Sequence, residues 1–146
     1  MLRDIGLIRD ALITYDLDAF FKEFKHLISS IPYMNREKSE SYYSSLFHIA
    51  MRVAKLHPQS EVQTHTGRID TDIEIKNFVY IFEYKFNKTV QEAFDQIEEK
   101  KYYESYVDSS KKVILVGINF IYTDRAVSTV ESAIFDIEWK AEVKKI

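Results

Sequence analysis

The chain has 146 residues, enough for one domain with its own hydrophobic core. Its 46% hydrophobic and 29% charged content is that of a globular protein, and no apolar run approaches the roughly 18 residues of a transmembrane helix. A net charge of −3 argues against a nonspecific nucleic-acid coat, and the absence of cysteine excludes disulfides and thiolate chemistry. The 3 glycines, Gly6, Gly67 and Gly117, cannot form GxGxxG or GxxxxGK, so neither a Rossmann nor a P-loop site is expected. No signal-peptide h-region follows Met1-Leu2-Arg3-Asp4, which points to a cytoplasmic protein with no membrane partner.

In chain order, residues 3–13 and 17–31 read as helices, with Leu7, Ile8, Leu12 and Ile13, then Phe20, Phe21, Phe24, Leu27 and Ile28, at helical spacing. Pro32 stops the second helix, and the polar stretch to Ser39 reads as a seam. Residues 1–32 are therefore expected to be a helical appendage or linker, and 33–146 a core domain. A helix over 39–56 follows, with Ser39 as N-cap, Glu40 in its first turn and a wide apolar face.

The period then changes to two. Residues 61–66 read as a short strand, and 68–75 alternate Ile69, Thr71, Ile73 and Ile75 against Arg68, Asp70, Asp72 and Glu74. Residues 78–86 form a third strand, rich in β-branched and aromatic side chains. Thr89 and Glu92 make a capping box opening a helix to about Tyr106. Residues 112–121 read as a strand buried on both faces, and 132–143 as a last strand. An antiparallel meander followed by a helical crossover gives an α/β fold, a central mixed sheet flanked by helices.

A two-residue turn at Lys76-Asn77 pairs Ile75 with Phe78. Counting back sets Asp70 opposite Glu83 and Arg68 opposite Lys85, on one face of the sheet. Two facing carboxylates beside apolar Val79 and Ile81 are costly unless paired or bound to a metal. Mg²⁺ takes such oxygen ligands and can activate water or polarise a phosphoryl oxygen, while a nearby lysine stabilises developing charge. The plainer reading of the same residues is a salt-bridge ladder.

Asp70 followed by Glu83-Tyr84-Lys85 resembles the D…(D/E)xK signature of the PD-(D/E)xK nuclease superfamily. Four further segments resemble one branch of it, the restriction-endonuclease-like C-terminal domain of bacterial proteins with an AAA-ATPase-like N-terminal domain. They are the helix from Ser39 to Phe47, the GRxD-like Gly67-Arg68-Ile69-Asp70, the helix carrying Ala93, Gln96, Ile97 and Tyr102, and Val113–Phe120. Val79–Lys85 is similar to that branch's YIFE(F/Y)K strand. Ile69 stands where the nominal PD pair has proline.

The resemblance implies a restriction-endonuclease-like fold and a Mg²⁺-dependent nuclease acting on DNA, with Mn²⁺ able to substitute. It makes Asp70, Glu83 and Glu40 the metal ligands, Lys85 the catalytic lysine, and Gln96 a further site residue. It also implies an ATPase domain or protein as partner, and leaves a homodimer open. The alternative is a catalytically silent module that binds nucleic acid or a partner and works with an ATPase domain.

Other polar groups have plainer readings. Asp72 and Glu74 are expected to be solvated or weakly paired. His48 reads as a core or boundary histidine, and no pair of histidines has HExxH spacing. Lys111, Lys112, Lys140, Lys144 and Lys145 read as solvated strand ends, and Tyr102, Tyr103 and Tyr106 as boundary packing.

Overall fold

A computed structural model describes residues 2–30, 40–64, 67–106, 110–124 and 133–144. Three helices come first: α1 (Leu2–Ile13), α2 (Leu17–Ser29) and α3 (Glu40–Val53). The strands β1 (Gln59–Thr64), β2 (Gly67–Ile75) and β3 (Phe78–Phe86) follow, then α4 (Val90–Lys100). Strands β4 (Lys112–Asp124) and β5 (Ala133–Lys144) complete the sheet, whose order is β1-β2-β3-β4-β5. Among the described residues only β3 and β4 pair in parallel, because α4 carries the chain back across the sheet between them. The other neighbours are antiparallel, so the fold is the expected mixed-sheet α/β architecture of restriction-endonuclease-like proteins.

The β2–β3 hairpin has the counted register. Ile75 pairs with Phe78 across a turn at Lys76-Asn77, and the ladder continues to Thr71 with Phe82. Lys76 takes φ 50°, a left-handed conformation that a two-residue hairpin imposes and that glycine would adopt at lower cost.

The two faces of the sheet meet different layers. Tyr80, Phe82 and Tyr84 on β3, with Ile114, Val116, Ile118 and Phe120 on β4, are buried against α1, α2 and α3. Aromatic rings dominate this side: Phe47 lies edge-on to Phe82 at 4.9 Å between centroids, and Phe20 stacks on Phe82 at 6.2 Å. Tyr43 stacks on Phe120 at 5.4 Å and on Phe135 at 4.9 Å. The opposite face carries a smaller core in which Phe94 and Ile97 of α4 cover Val79, Ile81, Val113 and Leu115. Strand β4 is thus buried on both sides from Val113 to Phe120, as its unbroken apolar run requires.

Residues 1–32 were expected to form an appendage. Helices α1 and α2 instead share the principal core with the sheet, through Ile8, Leu12, Phe20, Phe21, Phe24 and Ile28. Tyr80 Oη donates to the Leu12 carbonyl at 2.6 Å, and the Arg9 guanidinium donates to the Lys55 carbonyl at 2.9 Å beyond the end of α3. On the other flank Lys25 pairs with Asp136 of β5 at 2.9 Å, and Phe21 stacks on Trp139 at 5.0 Å. The physical reason is composition: α2 presents three phenylalanines on one face, too much apolar surface to leave without cover.

The helix expected from Thr89 to Tyr106 is broken. Thr89 caps α4 as its sequence suggests, accepting from the Glu92 backbone at 3.1 Å. Lys101 then turns left-handed, with φ 51°, and residues Tyr102–Tyr106 continue as a 3-10 turn. The reversal lets Tyr103 and Tyr106 pack on the smaller core.

Candidate functional site

The odd-numbered residues of β3 all point to the α4 side. Val79 and Ile81 are covered by Phe94 and Ile97. Glu83 and Lys85 come next along the same face, where the strand leaves that apolar cover. Glu83 is only 2% exposed, and Lys85 is half-buried.

Helix α4 brings Gln96 to this point. Lys85 Nζ donates to Gln96 Oε1 at 2.6 Å, a short charge-assisted hydrogen bond between strand and helix. Two residues expected at the site, drawn from separate elements, are therefore in contact.

The approach of α4 depends on Gly117, which pairs with Glu83 on the neighbouring strand. A Cβ at Gly117 would stand 3.0 Å from the Phe94 backbone nitrogen and 3.2 Å from the Val90 carbonyl oxygen. Only a residue without a side chain admits the helix at that depth.

Two asparagines fix the connection between β3 and α4. Asn119 is the β4 partner of Lys85 and is buried. Its amide donates to the Lys88 carbonyl at 2.8 Å and accepts from the Lys88 N–H at 3.1 Å. Asn87 makes the matching pair with Tyr122, accepting from its N–H at 2.9 Å and donating to its carbonyl at 3.1 Å. The Lys85 end of β3 and the start of α4 are thereby held to β4. The signal was available in the sequence, since Asn119 interrupts an otherwise apolar strand, but its role was not read there.

The β2–β3 ladder runs from Ile75 with Phe78 to Thr71 with Phe82, one step short of the expected Asp70–Glu83 pair. The side chains of Asp70 and Glu40 lie outside the described residues. At Thr71, one step away, the hydroxyl accepts from Tyr84 Oη on the opposite face and ties β2 to β3 beside this position.

Asp72 departs from expectation. It was expected to be solvated or weakly paired, but it is 5% exposed. Its Oδ1 is buried without a hydrogen-bond partner among the described residues. Burial, with the Glu74 carboxylate adding to it, pushes the Asp72 carboxyl up to about 6. Glu74 follows the expected pattern: it is exposed and pairs with Lys111 at 3.3 Å.

The remaining polar groups serve packing. His48 accepts from Arg52 Nε at 3.3 Å, and burial, then the Arg52 charge, holds its pKa below the ordinary value. The lysines of β5 are not simply solvated: Lys140 lies over the Phe94 ring at 4.4 Å, and Lys144 over Tyr103 at 4.1 Å.

Among the described residues, no three Asp, Glu or His side chains converge as a metal cage. The donors that are described still fit a hard divalent cation. Glu83 is buried on the face that carries Lys85, and Asp72 presents a buried oxygen that no group among the described residues satisfies.

The model of the PD-(D/E)XK nuclease superfamily matches residues 38–130, from the start of α3 to beyond β4. The chain belongs to that superfamily. It is also 28% identical over 134 residues to a protein of Azotobacter chroococcum mcd 1 described as an uncharacterized protein in the vnfD 5′ region. The match covers 87% of this chain but 26% of that relative, so the chain spans about a quarter of the relative's length. No solved structure matches the chain. No helix among the described residues is long and apolar enough to cross a membrane.

Proposed function

We propose that this domain is a Mg²⁺-dependent nuclease that hydrolyses phosphodiester bonds in DNA, with Mn²⁺ able to replace Mg²⁺. The observation that carries the reading is the Lys85–Gln96 hydrogen bond at 2.6 Å beside buried Glu83, within the segment that matches a nuclease superfamily. In an ordinary salt-bridge ladder Lys85 would pair with a carboxylate. Here it is held by a neutral amide oxygen, which orients the ammonium without neutralising it.

Asp70, Glu83 and Glu40 would hold the cation. When bound, such an ion polarises a phosphoryl oxygen and lowers the pKa of a coordinated water. Lys85 supplies the fixed positive charge. An ammonium has three N–H donors, and Gln96 takes one. The others would hold the attacking water or the anionic oxygen that gains charge in the transition state. Gln96 acts through Lys85 and is a positioning residue.

The same proposal includes cooperation with an ATPase domain or protein, and a cytoplasmic location. Cleavage of supercoiled, linear and single-stranded DNA, and of RNA, with Mg²⁺ or Mn²⁺ tests it. Metal-dependent DNA cleavage should vanish in Asp70→Ala and Lys85→Ala while both variants keep the wild-type circular dichroism spectrum. Undiminished cleavage in either variant refutes the assignment. A folded wild type that binds DNA without cutting it would favour the silent, ATPase-associated module.

A further inference from the structure

Strand β2 carries a second carboxylate toward the α4 side of the sheet. Asp72 pairs with Ile81 and Glu74 with Val79, and side chains opposite one another share a face. Ile81 lies two residues before Glu83, so Asp72 and Glu83 are diagonal neighbours. Such diagonals are about 7–8 Å apart, and two carboxylates at that separation can reach one cation through bonds of about 2.1–2.5 Å. Asp70 lies two residues from Asp72 on the same strand.

The two acids at the hairpin end of this row are treated differently. Glu74 is exposed and paired with Lys111 at 3.3 Å. Asp72 is 5% exposed and keeps one carboxylate oxygen buried without a hydrogen-bond donor among the described residues. The lysine on the adjacent strand, Lys85, is bonded to Gln96. A buried carboxylate oxygen with no donor is costly, and such oxygens are otherwise found paired or on metals.

We infer that Asp72 is a further carboxylate ligand of the proposed divalent-cation site, in addition to Asp70, Glu83 and Glu40. The inference rests on the proposed nuclease site and extends it. Four carboxylates would hold the cation more tightly than three. They would also make the cation part of what stabilises this end of the β2–β3 hairpin, since a ligand bound only by the folded state stabilises it.

The test uses Mn²⁺ alone, with no nucleic acid. Isothermal titration calorimetry and thermal unfolding with added Mn²⁺ would compare the whole chain with Asp72→Asn, Asp72→Ser and Glu74→Gln. Asp72→Asn keeps the shape of the side chain, and Asp72→Ser provides a smaller neutral replacement if the amide cannot be accommodated. Losing a ligand should weaken Mn²⁺ binding by at least about tenfold, since even groups that only orient ligands cost 10–100-fold. The Mn²⁺-induced rise in Tm should shrink in both Asp72 variants, whereas Glu74→Gln should bind within about twofold of wild type.

Wild-type Mn²⁺ affinity in a folded Asp72 variant overturns the inference, as does a wild type that binds no Mn²⁺. The nuclease reading fails separately. Cleavage lost in Asp70→Ala and Lys85→Ala, with Mn²⁺ binding indifferent to Asp72, leaves the nuclease intact and removes Asp72 from its site. Mn²⁺ binding that depends on Asp72 in a chain that cuts nothing does the reverse.

Discussion

Replacing Gly117 by alanine should disturb the fold where the candidate site is assembled. The added Cβ meets the Phe94 nitrogen at 3.0 Å, the Val90 carbonyl oxygen at 3.2 Å and the Ala93 Cβ at 3.3 Å. The first two are backbone atoms of α4 and cannot rotate away. The helix must therefore lift by a few tenths of an ångström along its first turn. Overpacking of this kind costs about 1–3 kcal/mol. Alanine recovers about 0.5–1 kcal/mol, because it has less backbone freedom to lose on folding. The net loss should be about 1–2 kcal/mol. With an unfolding entropy of about 2.1 cal/mol/K per residue, the Tm should fall by roughly 3–6 °C. Thermal unfolding followed by circular dichroism would read this directly. The same lift moves Gln96 relative to Lys85, so DNA cleavage should fall more than the small change in folded population explains. An unchanged or raised Tm would refute the close seating of α4 on β4.

Two further predictions concern the core and pH. Phe20→Ala should cost about 3–5 kcal/mol in urea unfolding, because Phe20 is fully buried against Phe21, Phe47 and Phe82. A loss under about 1 kcal/mol would mean that α2 is dispensable to the sheet. Asp72 has its carboxyl raised from 3.8 to about 6 in the folded protein, so it favours folding at low pH, where both states are protonated, and opposes it as pH rises through about 6. The full shift corresponds to about 3 kcal/mol at most. In metal-free buffer Asp72→Asn should therefore gain stability over wild type from about pH 4 to just above pH 6, and the gain should level off beyond it. A difference that stays constant over that range would show that Asp72 is not held in its charged form against burial.

Much of this molecule is written locally. Strands β2 and β3 and their register follow from strict alternation and a two-residue turn, both of which act between residues close in sequence. The cap at Thr89 is equally local. The grouping of Lys85 with Gln96 was legible only through the resemblance of two separate segments to one family, because nothing in their spacing brings a strand and a helix together. The structure then supplies the contact, Nζ to Oε1. The side chains of Asp70 and Glu40, two of the five residues of the expected site, lie outside the described residues.

What the sequence could not decide is which face is covered, and by what. Alternation assigned Asp72 to the polar face of β2 and so suggested solvent, but a polar pattern names a face without naming its neighbours. The left-handed Lys101 and the 3-10 turn after it, which lies against β2, β3 and β4, belong to the tertiary structure. So does the docking of α1 and α2, whose apolar faces were plain in the sequence while their partner was not. Local backbone preferences and periodicity set the elements and the β2–β3 pairing of this PD-(D/E)XK nuclease superfamily member, while Glu40 and Gln96 were candidates only through the family resemblance. Burial is a property of surfaces brought together from distant parts of the chain, and it alone separated Asp72 inside from Glu74 outside.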